Sequence, residues 1–237
     1  MCASEQLAAA GAEAFVRSKS AGGEDLEKRP MNYAPVPEAL EIGVYDNHCH
    51  LEFAFDDAET PMDPIANLDL ASGVGMKGVV QVGVTLESSI WSAGFAAREP
   101  RVLAAVALHP NEAPLYETRA ELDAAIDVIG QLATQPRVRA IGETGLDFFR
   151  TEGEESIAAQ RHSFERHIQI AKDNNIALMI HDRDAHADVV ETLLRVGAPE
   201  KVVFHCYSGE TDLAEICNEH GWYMSFAGNI TIKRNQH

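Results

Sequence analysis

From residue 43 onward, short apolar runs alternate with longer amphipathic stretches. The short runs predict seven strands, at 43–48, 78–84, 102–108, 138–143, 176–181, 201–206 and 222–227. The stretches between them predict helices at 64–74, 86–98, 118–134, 155–174, 184–196 and 210–220. Strands that are apolar on both faces and alternate with helices are typical of a parallel sheet covered by helices. The pattern therefore predicts an α/β fold.

Polar residues at the strand ends distinguish two parallel-sheet architectures. Four histidines and one glutamate end the apolar runs: His48, His50, Glu143, His181 and His205. A TIM barrel draws its functional residues from the carboxyl ends of several strands, whereas an open doubly wound sheet uses one crevice, typically with a Gly-rich phosphate loop. No GxGxxG or P-loop pattern follows a predicted strand. We therefore predict a TIM (β/α)8-type barrel, with only seven of its eight strands present.

This assignment divides the chain into two regions. Residues 43–237 form the predicted barrel. Residues 1–42 mix Ala, Gly, Ser, Glu and Pro without sustained periodicity, so we expect them to be a flexible N-terminal extension.

The spacing of the strand-end residues predicts metal binding. His48 and His50 are two residues apart on one strand, so their side chains face the same way and can hold one cation together. Glu143 carries two anionic oxygens that can bridge two cations, which a neutral imidazole cannot do. With His181 and His205 on later strands, the pattern predicts a two-metal site in which Glu143 is both ligand and catalytic residue.

Further polar residues at the strand ends are candidate substrate contacts. His109 ends the third predicted strand and is either a substrate contact or a loop histidine with its hydrogen bonds satisfied. Arg150 and Arg183 follow ligand-bearing strands and can pair with phosphate oxygens or with local carboxylates. Tyr207 begins a segment whose free backbone N–H groups could hold a phosphate, unless Ser208 simply caps the next helix.

The remaining histidines and the cysteines give no indication of a functional site. We expect the histidines within predicted helices to face solvent or to pack: His162, His167, His186 and His220. The four cysteines show no CxxC spacing, which favours reduced thiols. The chain has neither a signal-peptide pattern nor a membrane-length apolar segment, so we expect a cytoplasmic protein.

The charge limits how nucleic acid could be bound. Lys and Arg total 19 against 37 Asp and Glu, a net charge of −18. This balance argues against broad electrostatic capture of nucleic acid. A phosphate substrate would have to be drawn by bound metals and a few local cations.

Five segments resemble the successive motifs of the TatD-type metal-dependent deoxyribonucleases, a branch of the amidohydrolase-like barrels. They are DNHCHLEF at 46–53, GETGLDFFR at 142–150, IHDRDAH at 180–186, FHCYSGE at 204–210 and YMSFAGNIT at 223–231. The resemblance spans about residues 43–234 in the family's order.

The resemblance implies a two-metal TIM barrel that hydrolyses DNA, often as a 3′→5′ exonuclease on single strands or 3′ ends. It implies that His48 and His50 hold one metal, that Glu143 bridges, and that His181 and His205 hold the second. The two divalent metals could be Mg, Zn, Mn or Ni. No obligate protein partner is expected. The alternative substrates are those of related amidohydrolases or a D-aminoacyl-tRNA ester.

The chain departs from the family pattern at two motif positions and at its end. Asn47 replaces a small hydroxyl residue and Glu52 an Asp, neither at an expected ligand. Family members continue to an eighth strand with a Glu-Thr-Asp-x-x-Pro motif, whereas this chain ends at His237. A third alternative is therefore an inactive truncated fragment, poorly soluble and lacking one metal-site carboxylate. Asp147 lies on another loop, but is the first candidate for supplying that carboxylate.

Overall fold

Seven parallel strands form one sheet in the computed structural model, which describes residues 35–53 and 63–231. The strands are β1 (Val44–Cys49), β2 (Met76–Val82), β3 (Val102–Val106), β4 (Val138–Asp147), β5 (Ala177–Arg183), β6 (Val202–Phe204) and β7 (Tyr223–Met224). They pair in chain order. In the described ranges β1 pairs with β2 alone and β7 with β6 alone. The sheet curls as in a TIM-type α/β barrel, which confirms the predicted fold class.

One helix lies between each pair of consecutive strands. The helices are α1 (Pro64–Gly73), α2 (Leu86–Ala96), α3 (Arg119–Ala133), α4 (Glu154–Asn174), α5 (His186–Val196) and α6 (Thr211–His220). The starts of α2 and α3 are fixed by capping boxes, in which Thr85 pairs with Ser88 and Thr118 with Glu121. Short 3₁₀ turns at Ala113–Leu115 and Gly228–Thr231 were not predicted. No helix in the described ranges is long and apolar enough to span a membrane.

The predicted and observed elements agree in type and order, and their bounds differ mainly at strand ends. β4 continues to Asp147 instead of ending at 143, because its second half pairs with β5. β6 and β7 are shorter than predicted, so His205 follows β6 rather than ending it. Of the predicted extension, residues 1–34 lie outside the described residues. Within 35–42, the Leu40 N–H donates to the carbonyl of Val74.

Apolar side chains pack on both faces of the sheet. The larger cluster lies between strands and helices and includes Val106, Ile126 and Phe164, all fully buried. The smaller cluster comprises Val82, Ala105, Ala140 and Met179. Successive strand residues belong to opposite faces, as Ala105 and its neighbour Val106 illustrate. The smaller cluster therefore lies on the inner face of the curled sheet.

Candidate metal centre

Six polar side chains meet at the carboxyl ends of the strands. They come from the end of β1, from β4 and β5, and from the residues just after β3 and β6: His48, His50, His109, Glu143, His181 and His205. They lie next to the inner apolar cluster, to which Met179 belongs. The Met179 sulfur lies 3.0 Å from Nδ1 of His48. The fold thus brings together the five predicted ligands and one of the four predicted substrate contacts.

Glu143 lies in the middle of this group. It is 6% exposed, and its Oε1 lies 2.7 Å from Nδ1 of His181 and 3.7 Å from Nε2 of His205. Its Oε2 lies 3.4 Å from Nε2 of His48, and Oε1 lies 3.8 Å from Nε2 of His109. Both carboxylate oxygens therefore face imidazoles.

The potential ligand atoms form two groups that share Glu143. One group contains His48, Glu143 and His205, and the other His109, Glu143 and His181, with the atoms of each group within 4.8 Å of one another. This grouping differs from the expected pairing of His181 with His205. His205 follows the short strand β6 and its ring stacks on His48, with centroids 3.5 Å apart. His109, which follows β3, takes the place beside His181.

The donor atoms at His48 and His50 fit a divalent cation. Nδ1 of His50 lies 2.9 Å from the carbonyl oxygen of Val82, which can only accept, so His50 donates from Nδ1. Its Nε2 therefore keeps a lone pair and points at Nε2 of His48, 3.1 Å away. Converging imidazole nitrogens beside a buried carboxylate are ligands of the type that Zn, Mn or Ni prefers.

Protonation equilibria in the cluster are strongly shifted. Burial alone would raise the pKa of Glu143, but hydrogen bonds from His181 and His48 hold this pKa well below its usual range. Burial opposes the charge of His181, yet its bonds to Asp147 and Glu143 raise the pKa of its ring to about 9. Burial and then the neighbouring His48 lower the pKa of His205 to about 4. In the metal-free protein, His181 thus carries a proton between two carboxylates, at a place where a cation would compete with it.

Asp147 holds His181 from the outer side of the ring. Its Oδ2 lies 3.2 Å from Nε2 of His181 and accepts from the Asn111 side chain at 3.0 Å. Its Oδ1 accepts from the backbone N–H groups of Phe149 and Arg150. Burial opposes the charge of Asp147, but these hydrogen bonds lower its pKa. Both oxygens of Asp147 already accept hydrogen bonds from these donors. The role of Asp147 in this structure is therefore to orient His181.

A second support, centred on Gln81, fixes the turn after His50. Gln81 is fully buried in β2, and its Oε1 accepts from the Leu51 N–H at 2.7 Å. Its Nε2 donates to Glu52 at 2.5 Å and to Ser92 at 3.2 Å. Burial raises the pKa of Glu52 to about 7. Gln81 was not predicted from the sequence, although a lone amide within the apolar run GVVQVGV is a usable signal.

The other predicted substrate contacts lie at or just after the ends of β4, β5 and β6. The Arg183 guanidinium carbon lies 3.8 Å from the Phe149 ring centroid, a cation–π contact. Arg150 is exposed, and its backbone N–H donates to Oδ1 of Asp147. The Tyr207 hydroxyl donates to the carbonyl of Glu210 at 2.7 Å.

Relatives of this chain include proteins named as metal-dependent hydrolases. A protein of Mycobacterium tuberculosis named as the uncharacterized metal-dependent hydrolase TatD is 38% identical over 192 residues, covering 79% of this chain and 70% of its own. A protein of Salmonella typhimurium named as the 3′-5′ ssDNA/RNA exonuclease TatD is 29% identical, covering 69% of this chain and 61% of its own.

The fold also matches solved structures. The crystal structure of YjjV, a TatD homologue from Escherichia coli, superposes with a TM-score of 0.70 at 24% identity, covering 80% of this chain and 70% of that one. Residues 45–237 match the family described as TatD related DNase. The chain therefore belongs to the TatD related DNase family of metal-dependent hydrolases.

Proposed function

We propose that this hydrolase cleaves phosphodiester bonds of DNA, as a 3′→5′ exonuclease acting on single strands or 3′ ends. The observation that carries the proposal is the buried Glu143, whose carboxylate is shared by two groups of imidazoles, with Oε2 beside His48 and Oε1 beside His181. One carboxylate shared between two groups of nitrogen ligands is suited to holding two cations close together. The name of the Salmonella relative supports a nucleic acid as substrate.

We further propose His48, His50, Glu143, His181 and His205 as the ligands of two divalent metal ions. Bound there, the ions would polarise the scissile phosphoryl group and lower the pKa of an attacking water. The imidazole-rich donors favour Zn, Mn or Ni, whereas Mg prefers oxygen ligands. Glu143 would also be catalytic, because its charge lies at the centre of the site.

The chain's own cations would orient the substrate. Arg183 lies at the end of β5 with its guanidinium over Phe149, so the ring limits the directions in which this cation can point. Arg150 follows β4 and Tyr207 follows His205, which puts both near the same mouth. With a net charge of −18, attraction for DNA would be confined to this mouth.

The alternatives from the sequence are less well supported. The amidohydrolases that cleave amides often bridge their metals with a carboxylated lysine on the fourth strand, whereas the carboxylate of the cluster on β4 here is that of Glu143. The described cysteines, Cys49, Cys206 and Cys217, are free thiols, and a cytoplasmic location stays a prediction.

The test is hydrolysis of labelled single-stranded DNA by protein loaded in turn with Mg, Mn, Zn or Ni. We expect metal-dependent shortening from the 3′ end, blocked when the 3′-terminal linkages are phosphorothioates. Glu143→Gln, which keeps the size of the side chain, should lower the rate by more than about 100-fold, since even outer-shell partners of metal sites typically cost 10–100-fold. No cleavage with any metal, or equal cleavage by Glu143→Gln, would contradict the proposal.

A further inference from the structure

Nε2 of His109 faces the cluster. Its distances to the neighbouring atoms do not by themselves decide its role. This nitrogen lies 3.2 Å from Nδ1 of His181 and 3.8 Å from Oε1 of Glu143. If this nitrogen carries a lone pair, His109 is a further metal ligand. If it carries a proton, His109 is a hydrogen-bond donor that points into the site. The partner of the other ring nitrogen distinguishes the two roles.

The other nitrogen of His109 accepts a hydrogen bond. The backbone N–H of Asn111 donates to Nδ1 at 3.1 Å. A backbone N–H can only donate, so Nδ1 carries the lone pair and the single proton of the neutral ring is on Nε2. His50 has the opposite arrangement, because a carbonyl accepts from its Nδ1 and leaves Nε2 free to coordinate. The two rings therefore present opposite atoms to the same site.

The segment around His109 is anchored so that this arrangement is maintained. The Asn111 side chain donates to Asp147 at 3.0 Å and accepts from the Thr151 hydroxyl at 3.0 Å. That hydroxyl accepts from the buried amide of Gln160 at 2.7 Å. Coordination through Nε2 of His109 would move the proton to Nδ1 and break the bond from the Asn111 backbone, leaving a half-buried N–H without its partner.

Among the described residues, Nε2 of His109 faces Nδ1 of His181 and Oε1 of Glu143. A cation on Nδ1 of His181 would occupy the lone pair of that nitrogen, and Oε1 of Glu143 is too far for a strong hydrogen bond. The His109 N–H would then be available to a bound molecule.

We propose that His109 is not a metal ligand, and that its Nε2–H donates to an anionic oxygen of the bound substrate. The assignment of this anionic oxygen to a phosphate group rests on the proposed phosphodiester hydrolysis. A fixed donor beside the metals would bind the anion and stabilise the charge that develops on it.

The first measurement is metal content by elemental analysis, after loading with Mn and dialysis. We expect His109→Ala to keep the metal content of the parent and His181→Ala to lose metal. A loss in His109→Ala equal to that in His181→Ala would make His109 a ligand and overturn the proposal. So would a parent that takes up no metal, because the proposal requires a ligand set from which His109 is distinct.

The second measurement is calorimetric titration of the Mn-loaded proteins with inorganic phosphate. Loss of a hydrogen bond to a charged group should weaken phosphate binding about 10-fold or more in His109→Ala. His109→Gln retains an amide N–H near the position of Nε2 and should recover part of that affinity, while circular dichroism checks that both variants fold. Equal phosphate affinity in parent and His109→Ala would overturn the proposal.

Neither measurement needs DNA cleavage. If the parent leaves DNA intact but both measurements give the expected results, the proposed nuclease function fails and the donor role of His109 stands. If DNA is cleaved but His109→Ala loses its metal, the nuclease function stands and the donor role fails.

Discussion

The imidazoles of the candidate centre owe their roles to the partner on the outer side of each ring. The Val82 carbonyl makes His50 a donor on that side, and the Asp147 carboxylate does the same for His181. The Asn111 N–H instead makes His109 an acceptor there. Outer partners of this kind fix which nitrogen is free to coordinate and which carries a proton. The chemistry of His50, His109 and His181 is thus set by residues that do not themselves enter the cluster.

His167, one of the histidines expected to pack, is fully buried in α4. Its Nδ1 donates to the Ser163 carbonyl at 2.7 Å, and its Nε2 accepts from the Leu108 N–H at 3.1 Å. Burial lowers the pKa of its ring from 6.5 to about 4. Between these values the unfolded chain binds more protons than the folded one, so the contribution of His167 to stability is present above pH 6.5 and is lost as the pH falls towards 4.

We therefore expect His167→Gln to flatten the dependence of stability on acid pH. Urea unfolding at pH 7 and pH 5 should show that the parent loses roughly 1–2 kcal/mol more than this variant over that interval. Gln retains a polar side chain for the buried position, and His220→Gln serves as a control at an exposed histidine. If His167→Gln loses as much stability as the parent between the two pH values, the assignment of this pH dependence to His167 is wrong.

At the scale of elements, the contact between β4 and β5 positions the centre. These strands pair from Ala140 with Ala177 to Asp147 with Arg183, which sets Gly145 beside His181. Gly145 has a φ of +145°, and a Cβ there would lie 2.0 Å from the backbone oxygen of His181. Only glycine allows this approach.

Gly145→Ala should therefore displace His181 and weaken metal binding. We expect a lower melting temperature and at least about a 10-fold lower metal affinity, since misplacing a ligand costs no less than removing its outer support. The matched control is Gly73→Ala at the end of α1, where a Cβ meets no atom within 4 Å. Unchanged metal affinity in Gly145→Ala, measured by titration alongside the control, would show that the strand contact does not position His181.

For the whole molecule, the candidate ligands come from segments far apart in sequence. His48 is in β1, Glu143 in β4, and His205 follows β6. A cation bound by them would connect these segments in the folded state, and the unfolded chain would lack such a site. Metal binding should therefore stabilise the whole fold.

Metal removal tests this coupling. At a free metal concentration of about 100 times the Kd, binding to the folded state alone contributes about 2.7 kcal/mol. We expect added Mn or Zn to raise the melting temperature and a chelator to reverse the effect. Glu143→Gln should show little of this shift. An equal shift in Glu143→Gln would mean that the metal acts elsewhere on the protein.

Local patterns account for what could be predicted. Among the described residues, hydrophobic periodicity predicted every strand and α-helix within a few residues, because burial of an apolar face is repeated along each element. The i, i+2 rule placed His48 and His50 together, and their Nε2 atoms lie 3.1 Å apart. By the same rule Asp46 would lie beside them, but the pairing of β1 with β2 is irregular between Asp46 and Cys49. Asp46 instead accepts from the backbone N–H of His48.

The sequence by itself determined the α/β order, the barrel class and the residues that could meet at the strand ends, because these depend on local periodicity and side-chain type. Only the tertiary structure decided which imidazoles are neighbours, bringing His205 to His48 and His109 to His181. It also decided which ring nitrogens carry protons, since the deciding atoms belong to other segments of the chain. No local pattern contains those distances, because they depend on strand register and on how far each side chain reaches across the sheet.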